Sequence, residues 1–149
     1  MSFGLWVLVI GGFCLSVVAG AGLFQALFVM PEYFSDPPAS LRRYQRDRSW
    51  LFWLPLHAVS LLCLVSATVL FWDTGRRTAV LVAFGCWILT WVVTAIFFIP
   101  GVIRFNKVDV NGPRSAALAD EGRRWMRRSS GRHVLTVAAA LSMLVALAG

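Results

Sequence analysis

Four stretches of the chain carry no charged residue: Phe3 to Met30, Trp50 to Trp72, Thr78 to Pro100 and Val134 to Gly149. Polar residues crowd into the segments between them. A helix rises about 1.5 Å per residue, so crossing a hydrocarbon layer about 30 Å thick takes about 20 residues. The first three stretches exceed that length, and the fourth reaches it if its helix begins near Ser130. The pattern predicts an all-α fold, an integral membrane four-helix bundle with helices at residues 3–30, 50–72, 78–104 and 130–148. Taking out the helices leaves nothing for a separate soluble domain, because the longest polar stretch, Arg104 to His133, is a connection. The first run has no preceding Lys or Arg and is too long for the core of a cleaved signal, so it is expected to stay as a helix.

Composition agrees: 58% of the 149 residues are hydrophobic, only 14% are charged, and the mean hydropathy is +0.72. The net charge of +7 is unevenly placed. Of the 14 Lys and Arg, all but Arg76 and Arg77 fall in the first and third connections, Arg42 to Arg48 and Arg104 to Arg132. By the excess of basic residues on the inner side of membranes, these two connections are expected to be cytoplasmic, with both termini outside, in a bacterial cytoplasmic membrane. The charge then meets anionic lipid head groups and requires no nucleic acid as partner.

Helix breakers and small residues refine the picture. Pro31 is expected to stop the first helix, and "SDPP" to keep the following chain extended. Pro100 and Gly101 are expected to interrupt the third helix near its end, freeing carbonyls that need partners elsewhere. Gly12, Ser16 and Gly20 recur every four residues and predict a face of close helix approach, making a homodimer an option. In the third connection, Asn111 and Gly112 read as a turn and Pro113 suits the first turn of an amphipathic helix. Trp125 on that helix is either an interfacial anchor or part of a site. Cys14, Cys63 and Cys86, odd in number and without C-x-x-C spacing, read as small buried hydrophobes.

The chemistry concentrates at one end. His57 in "WLPLHAVSLL" lies seven residues after Trp50, so it sits about 10 Å into the bundle; Gln25, six residues before Pro31, lies at a depth of about 9 Å. Glu32, Tyr33, Arg104, Asn106, Arg132 and His133 are expected at the same mouth. An imidazole is costly in hydrocarbon unless it faces the interior and finds a partner. His57 is therefore either a functional base or a histidine that donates one hydrogen bond to a neighbouring helix; His133 is either part of the site or turned to head groups. A neutral base beside fixed positive charge suits removal of a proton from an acidic C–H or O–H and stabilisation of the anion. The rival is a metal site built from His57, His133 and Glu32, which no helical histidine spacing supports. Gly-rich nucleotide loops, a G-x-S-x-G turn and paired intramembrane carboxylates are absent, which leaves phosphoryl transfer, hydrolysis by a serine and proton pumping without residues.

The small-residue first helix running into "GLFQALFVMP", the segment "LRRYQRDRSW", "FFIP" closing the third helix and "RRWMRRSSGRHVL" opening the fourth together resemble the anthrone oxygenase-like family of small four-helix membrane proteins. The resemblance spans nearly the whole chain, and the spacing from Trp125 to Arg132 is its most telling part. It departs from the family's pattern where Asn106 follows Pro100 only after "GVIRF", and where Ser129 stands in place of a histidine found in some members. The resemblance implies oxygenation of a flat polycyclic aromatic by dioxygen, an anthrone becoming an anthraquinone, with no organic cofactor; copper or iron stays open. On that implication His57 is the base, Arg132 or Arg43 stabilises the oxyanion, and Trp50, Trp53 and Trp125, with Gln25, Tyr33, Asn106 and His133, surround the ring. The alternatives are an accessory subunit of a larger membrane complex, a metal-dependent oxidase and a lipid-binding module.

Overall fold

A computed structural model describes residues 2–149 and contains helices but no strand among them. We number the helices α1 (Phe3–Tyr33), α2 (Leu41–Gln45), α3 (Trp50–Leu70), α4 (Arg77–Asn106), α5 (Ala116–Ser129) and α6 (Gly131–Ala148). Four helical spans are long and apolar enough to cross a membrane: α1, α3, α4 and the near-continuous α5–α6. Ser2 caps α1 by accepting a hydrogen bond from the Leu5 amide, and Ser115 caps α5 in the same way from Leu118. The helix of the third connection thus begins after Pro113, not at it.

Neither proline ends its helix. α1 continues past Pro31 and α4 past Pro100, and each widens into one π-helical turn immediately before, Gln25–Val29 in α1 and Thr94–Phe98 in α4. The cause is local: proline has no N–H to donate and its ring crowds the carbonyl one turn back, and a wider turn relieves both without breaking the helix. The expected stop at Pro31 and interruption at Pro100 are in fact bulges within continuous helices.

The strongest packing is between α4 and α6, between α1 and α6, and between α1 and α3. Although only a short turn joins them, α3 and α4 touch far less. One core, including Leu8, Leu15, Leu64, Val80, Trp87 and Met143, fills the end of the bundle away from the polar connections. Gly11 allows the closest approach there: a Cβ on it would lie 2.7 Å from Met143 Cε and 2.9 Å from Cys63 Cβ. The small-residue face differs from the one expected, since Gly12 is buried but Ser16 and Gly20 are exposed. Ser16 donates instead to its own helix, at the Gly12 carbonyl, 2.8 Å. Cys14 is buried, whereas Cys63 and Cys86 are half-buried, and all three are free thiols.

A second core closes the other end. Phe34, Tyr44, Phe105 and Trp125 meet edge to face, with ring centroids 4.8 to 6.4 Å apart among them. α5 packs onto this cluster through Gly122, Trp125 and Ser129 and turns Arg123, Arg124, Arg127 and Arg128 outward. Salt bridges Arg104–Glu121 and Arg114–Asp36, each 2.7 Å, tie the cap to α4 and to the first connection. Trp125 is buried within this cap, not placed at its surface as an anchor.

Gly122 is irreplaceable in this packing, because any Cβ would overlap the Phe34 ring. Gly122→Ala is expected to lower stability by about 1–3 kcal/mol, the usual cost of overpacking a tight core. Gly20→Ala, at a glycine with nothing within 4 Å, should leave it unchanged. Unfolding of both variants in mild detergent, followed by circular dichroism, checks the pair.

Candidate functional site

Between the two cores lies a cavity of about 460 Å³. α1 contributes Val18, Gly22, Gln25 and Met30; α3 contributes Trp50, Trp53 and His57; α6 contributes Arg132, His133 and Thr136. The α4 wall runs from Thr90 and Trp91 through Thr94 and Phe98 to Asn106, and Tyr44, Gln45, Asp47 and Ser49 close the cap side. Both π turns border this space.

His57 sits in an aromatic surround, its ring centroid 6.2 Å from Trp53, 6.3 Å from Trp87 and 5.2 Å from Trp91. Its Nδ1 is buried and has no hydrogen-bond partner. Among the described residues no protein group bonds Nε2 either, so neither ring nitrogen is tied by a hydrogen bond to a neighbouring helix. Two further buried polar atoms, Ser60 Oγ and Trp87 Nε1, are also without partners among the described residues, but unlike His57 neither residue lines the cavity. Most buried polar groups in proteins are satisfied, and a group left bare at a cavity is where a ligand gains the most.

Arg132 is half-buried and belongs to none of the salt bridges among the described residues. Its guanidinium lies 3.6 Å from the centre of the Phe98 ring. Phe98 in turn stacks on Trp125, with centroids 4.9 Å apart and planes at 22°. Trp125 Nε1 donates to the Phe98 carbonyl at 3.2 Å, supplying a partner from outside α4 at its loosened turn. Gly101 makes room for this, since a Cβ there would collide with the indole. The cation is therefore held by an aromatic face instead of a carboxylate, and its charge remains available to a ligand.

Of the residues singled out from sequence, the cavity gathers His57, Arg132, His133, Gln25, Trp50, Trp53 and Asn106. His133 is buried against Gly22, where a Cβ would lie 2.9 Å from its Nδ1; it does not face outward. Five others lie elsewhere, the first being Arg104, which pairs with Glu121 outside the cavity. Arg43 pairs with Glu32 at 2.7 Å in a separate outer groove, both side chains well exposed, which removes Arg43 from the site. The same pairing keeps Glu32 away from the two histidines, and no group of three His, Cys, Asp or Glu suited to a metal forms among the described residues. Tyr33 points its hydroxyl to Asp47, donating at 3.2 Å, and lines the outer groove. Trp125 supports the wall from behind Phe98.

Sequence reasoning missed Trp91, Thr94, Phe98 and Tyr44. "WILTW" does carry a signal for Trp91, because residues four apart share a helix face and Trp87 faces His57. Thr90 and Thr94 satisfy their hydroxyls on α4 itself, donating to the Cys86 and Thr90 carbonyls. The Tyr44 phenol is pushed above its ordinary pKa, mainly by burial and further by the nearby Asp47 charge, so it stays neutral at physiological pH.

Fold and site together describe an all-helical bundle compatible with a membrane, enclosing an aromatic-walled cavity whose imidazole and guanidinium have no hydrogen-bond or carboxylate partner among the described residues. No protein-family model, curated protein or solved structure matches the chain.

Proposed function

We propose that this protein is a membrane-embedded oxygenase-like enzyme acting on a flat apolar aromatic of the anthrone type. The observation that carries the reading is that His57 and Arg132 share one cavity and that, among the described residues, neither ring nitrogen of His57 is bonded to protein and Arg132 has no carboxylate partner. His57 takes a proton from the activated methylene through Nε2, and the electron pair moves into the ring system as an enolate whose oxygen lies against Arg132. Dioxygen adds at the carbanion carbon and the proton returns to give a hydroperoxide. Loss of water leaves the ketone, so that one ring methylene and one dioxygen become one ring carbonyl and one water. Trp53, Trp91 and Phe98 supply flat walls, and water is scarce among such side chains.

Purified protein in lipid nanodiscs, supplied with anthrone under dioxygen labelled with oxygen-18, is expected to yield anthraquinone carrying one heavy oxygen, faster than protein-free nanodiscs, as read by mass spectrometry. Product formation at the protein-free rate would overturn the reading and favour the accessory-subunit alternative, which also predicts that His57→Leu is tolerated.

A further inference from the structure

The cavity wall is uneven in one respect. The lining residues that are exposed, Trp50, Trp91, Ile99 and Asn106, all belong to α3 and α4, whereas those from α1, the α2 region and α6 are buried or half-buried. The opening therefore lies between α3 and α4. These neighbours pack least against each other, and α3 is the least embedded of the four long helices, burying only Ser60, Leu64 and Ala67. At the rim, Trp50 is 58% exposed and Ile99 41%. The outer faces beside the opening are apolar as well, with Leu54, Leu61, Ile96 and Phe97 exposed. Apart from Asn106 at its capped end, the slot is bordered by apolar side chains, which suit hydrocarbon better than water.

The inner end of the slot is different. Phe98 and Arg132 lie seven residues, about 10 Å of helix, along α4 from Trp91 and His57. A ligand coming in between α3 and α4 thus meets flat aromatic walls along its length and a cation near the capped end. Resting on the reading that this cavity is a ligand site, we infer that it is loaded sideways from the bilayer through the α3–α4 slot, and that its ligand is a lipid-dissolved flat aromatic bearing an acidic oxygen held by Arg132. An ordinary phospholipid fits less well: the cavity walls are largely aromatic where flexible acyl chains would lie, and Arg132 is the only cationic residue among the described residues that line it.

The test uses the full chain in phosphatidylcholine nanodiscs containing a fraction of phosphatidylcholine with a diazirine on its acyl chain. After illumination, adducts are mapped by mass spectrometry, with 9-anthroic acid as acidic probe and 9-methylanthracene as its neutral counterpart. Adducts are expected on Trp53 or Phe98, which are not exposed, in addition to the outer face, and 9-anthroic acid should remove the inner ones alone, at lower concentration in the bilayer than 9-methylanthracene. In Arg132→Gln the acid should lose at least about tenfold in potency, as expected for removing a desolvated charge partner, while the neutral probe changes little. Adducts confined to outer residues such as Leu61 and Phe97 would overturn the slot. Inner adducts that neither probe displaces would overturn the ligand and identify the slot as a lipid groove. The acid-versus-neutral comparison in the unaltered protein decides the ligand class even if the variant fails to fold. Displacement by the acid without any anthrone oxygenation would leave slot and ligand class standing while the oxygenase reading falls.

Discussion

Replacing His57 with glutamine is expected to lower anthrone turnover by about 10²–10⁴-fold, the usual contribution of a positioned general base. Glutamine keeps a polar group of similar length in the same aromatic surround of Trp53, Trp87 and Trp91 but cannot accept the proton. The fold should be unaffected, because the imidazole forms no hydrogen bond whose loss would strand a partner. A second signature separates loss of a base from a general disturbance. The variant's residual rate should rise about tenfold per pH unit as the substrate's own ionisation replaces the missing base, and the unaltered enzyme should be much flatter. Steady-state oxidation in nanodiscs across pH 6 to about 9 measures both. Unchanged turnover would remove the base assignment.

The second large effect belongs to Arg132. Arg132→Gln is expected to cost about 10²–10³-fold in kcat/KM, comparable to the loss of one oxyanion donor elsewhere in enzymes. Arg132→Lys should recover only part of it, since an ammonium keeps the charge but not the planar stacking on Phe98. The internal control is Arg43→Gln. That arginine is an equal candidate from sequence, yet it is bound to Glu32 in a different groove, so its replacement should leave turnover within about twofold, as surface ion pairs usually do. A matching fall for Arg43 and Arg132 would show that the basic residues act through net charge and not through the cavity.

The four long helices were legible because uncharged runs of about 20 residues have few other uses. His57, Gln25, Arg132 and Asn106 were legible as one site because simple depth counting places all of them near one end. Depth counting does not say which way a side chain faces, and there it failed. Arg43 and Tyr33 lie at the right level but turn into the outer groove, drawn by Glu32 and Asp47. Trp125 looked like an interfacial tryptophan in an arginine-rich helix, yet Gly101 on another helix leaves room for its indole, where any Cβ would collide with it. Such a fit depends on two distant segments and leaves no trace in either one alone. The expected Gly12–Ser16–Gly20 face failed for a related reason: spacing predicts that residues share a side, but within α1 the glycines that other parts of the chain approach are Gly4, Gly11, Gly12 and Gly22.

The two π turns carry a consequence for how the cavity is built. Along α4, lining residues recur at Thr90, Thr94, Phe98, Val102 and Asn106, a repeat of four. On a uniform α-helix of about 100° per residue, the first and last of these would point about 160° apart, so half the row would face away. One inserted residue, which is what a π turn amounts to, cuts the divergence to about 60°. In α1 the same correction brings Val18 and Met30 from about 120° apart to about 20°. Each proline therefore acts as a phase adjuster: by forcing a wider turn upstream, Pro31 and Pro100 rotate the lower half of a helix back into alignment with the upper half, and the cavity exists where two rephased helices face each other.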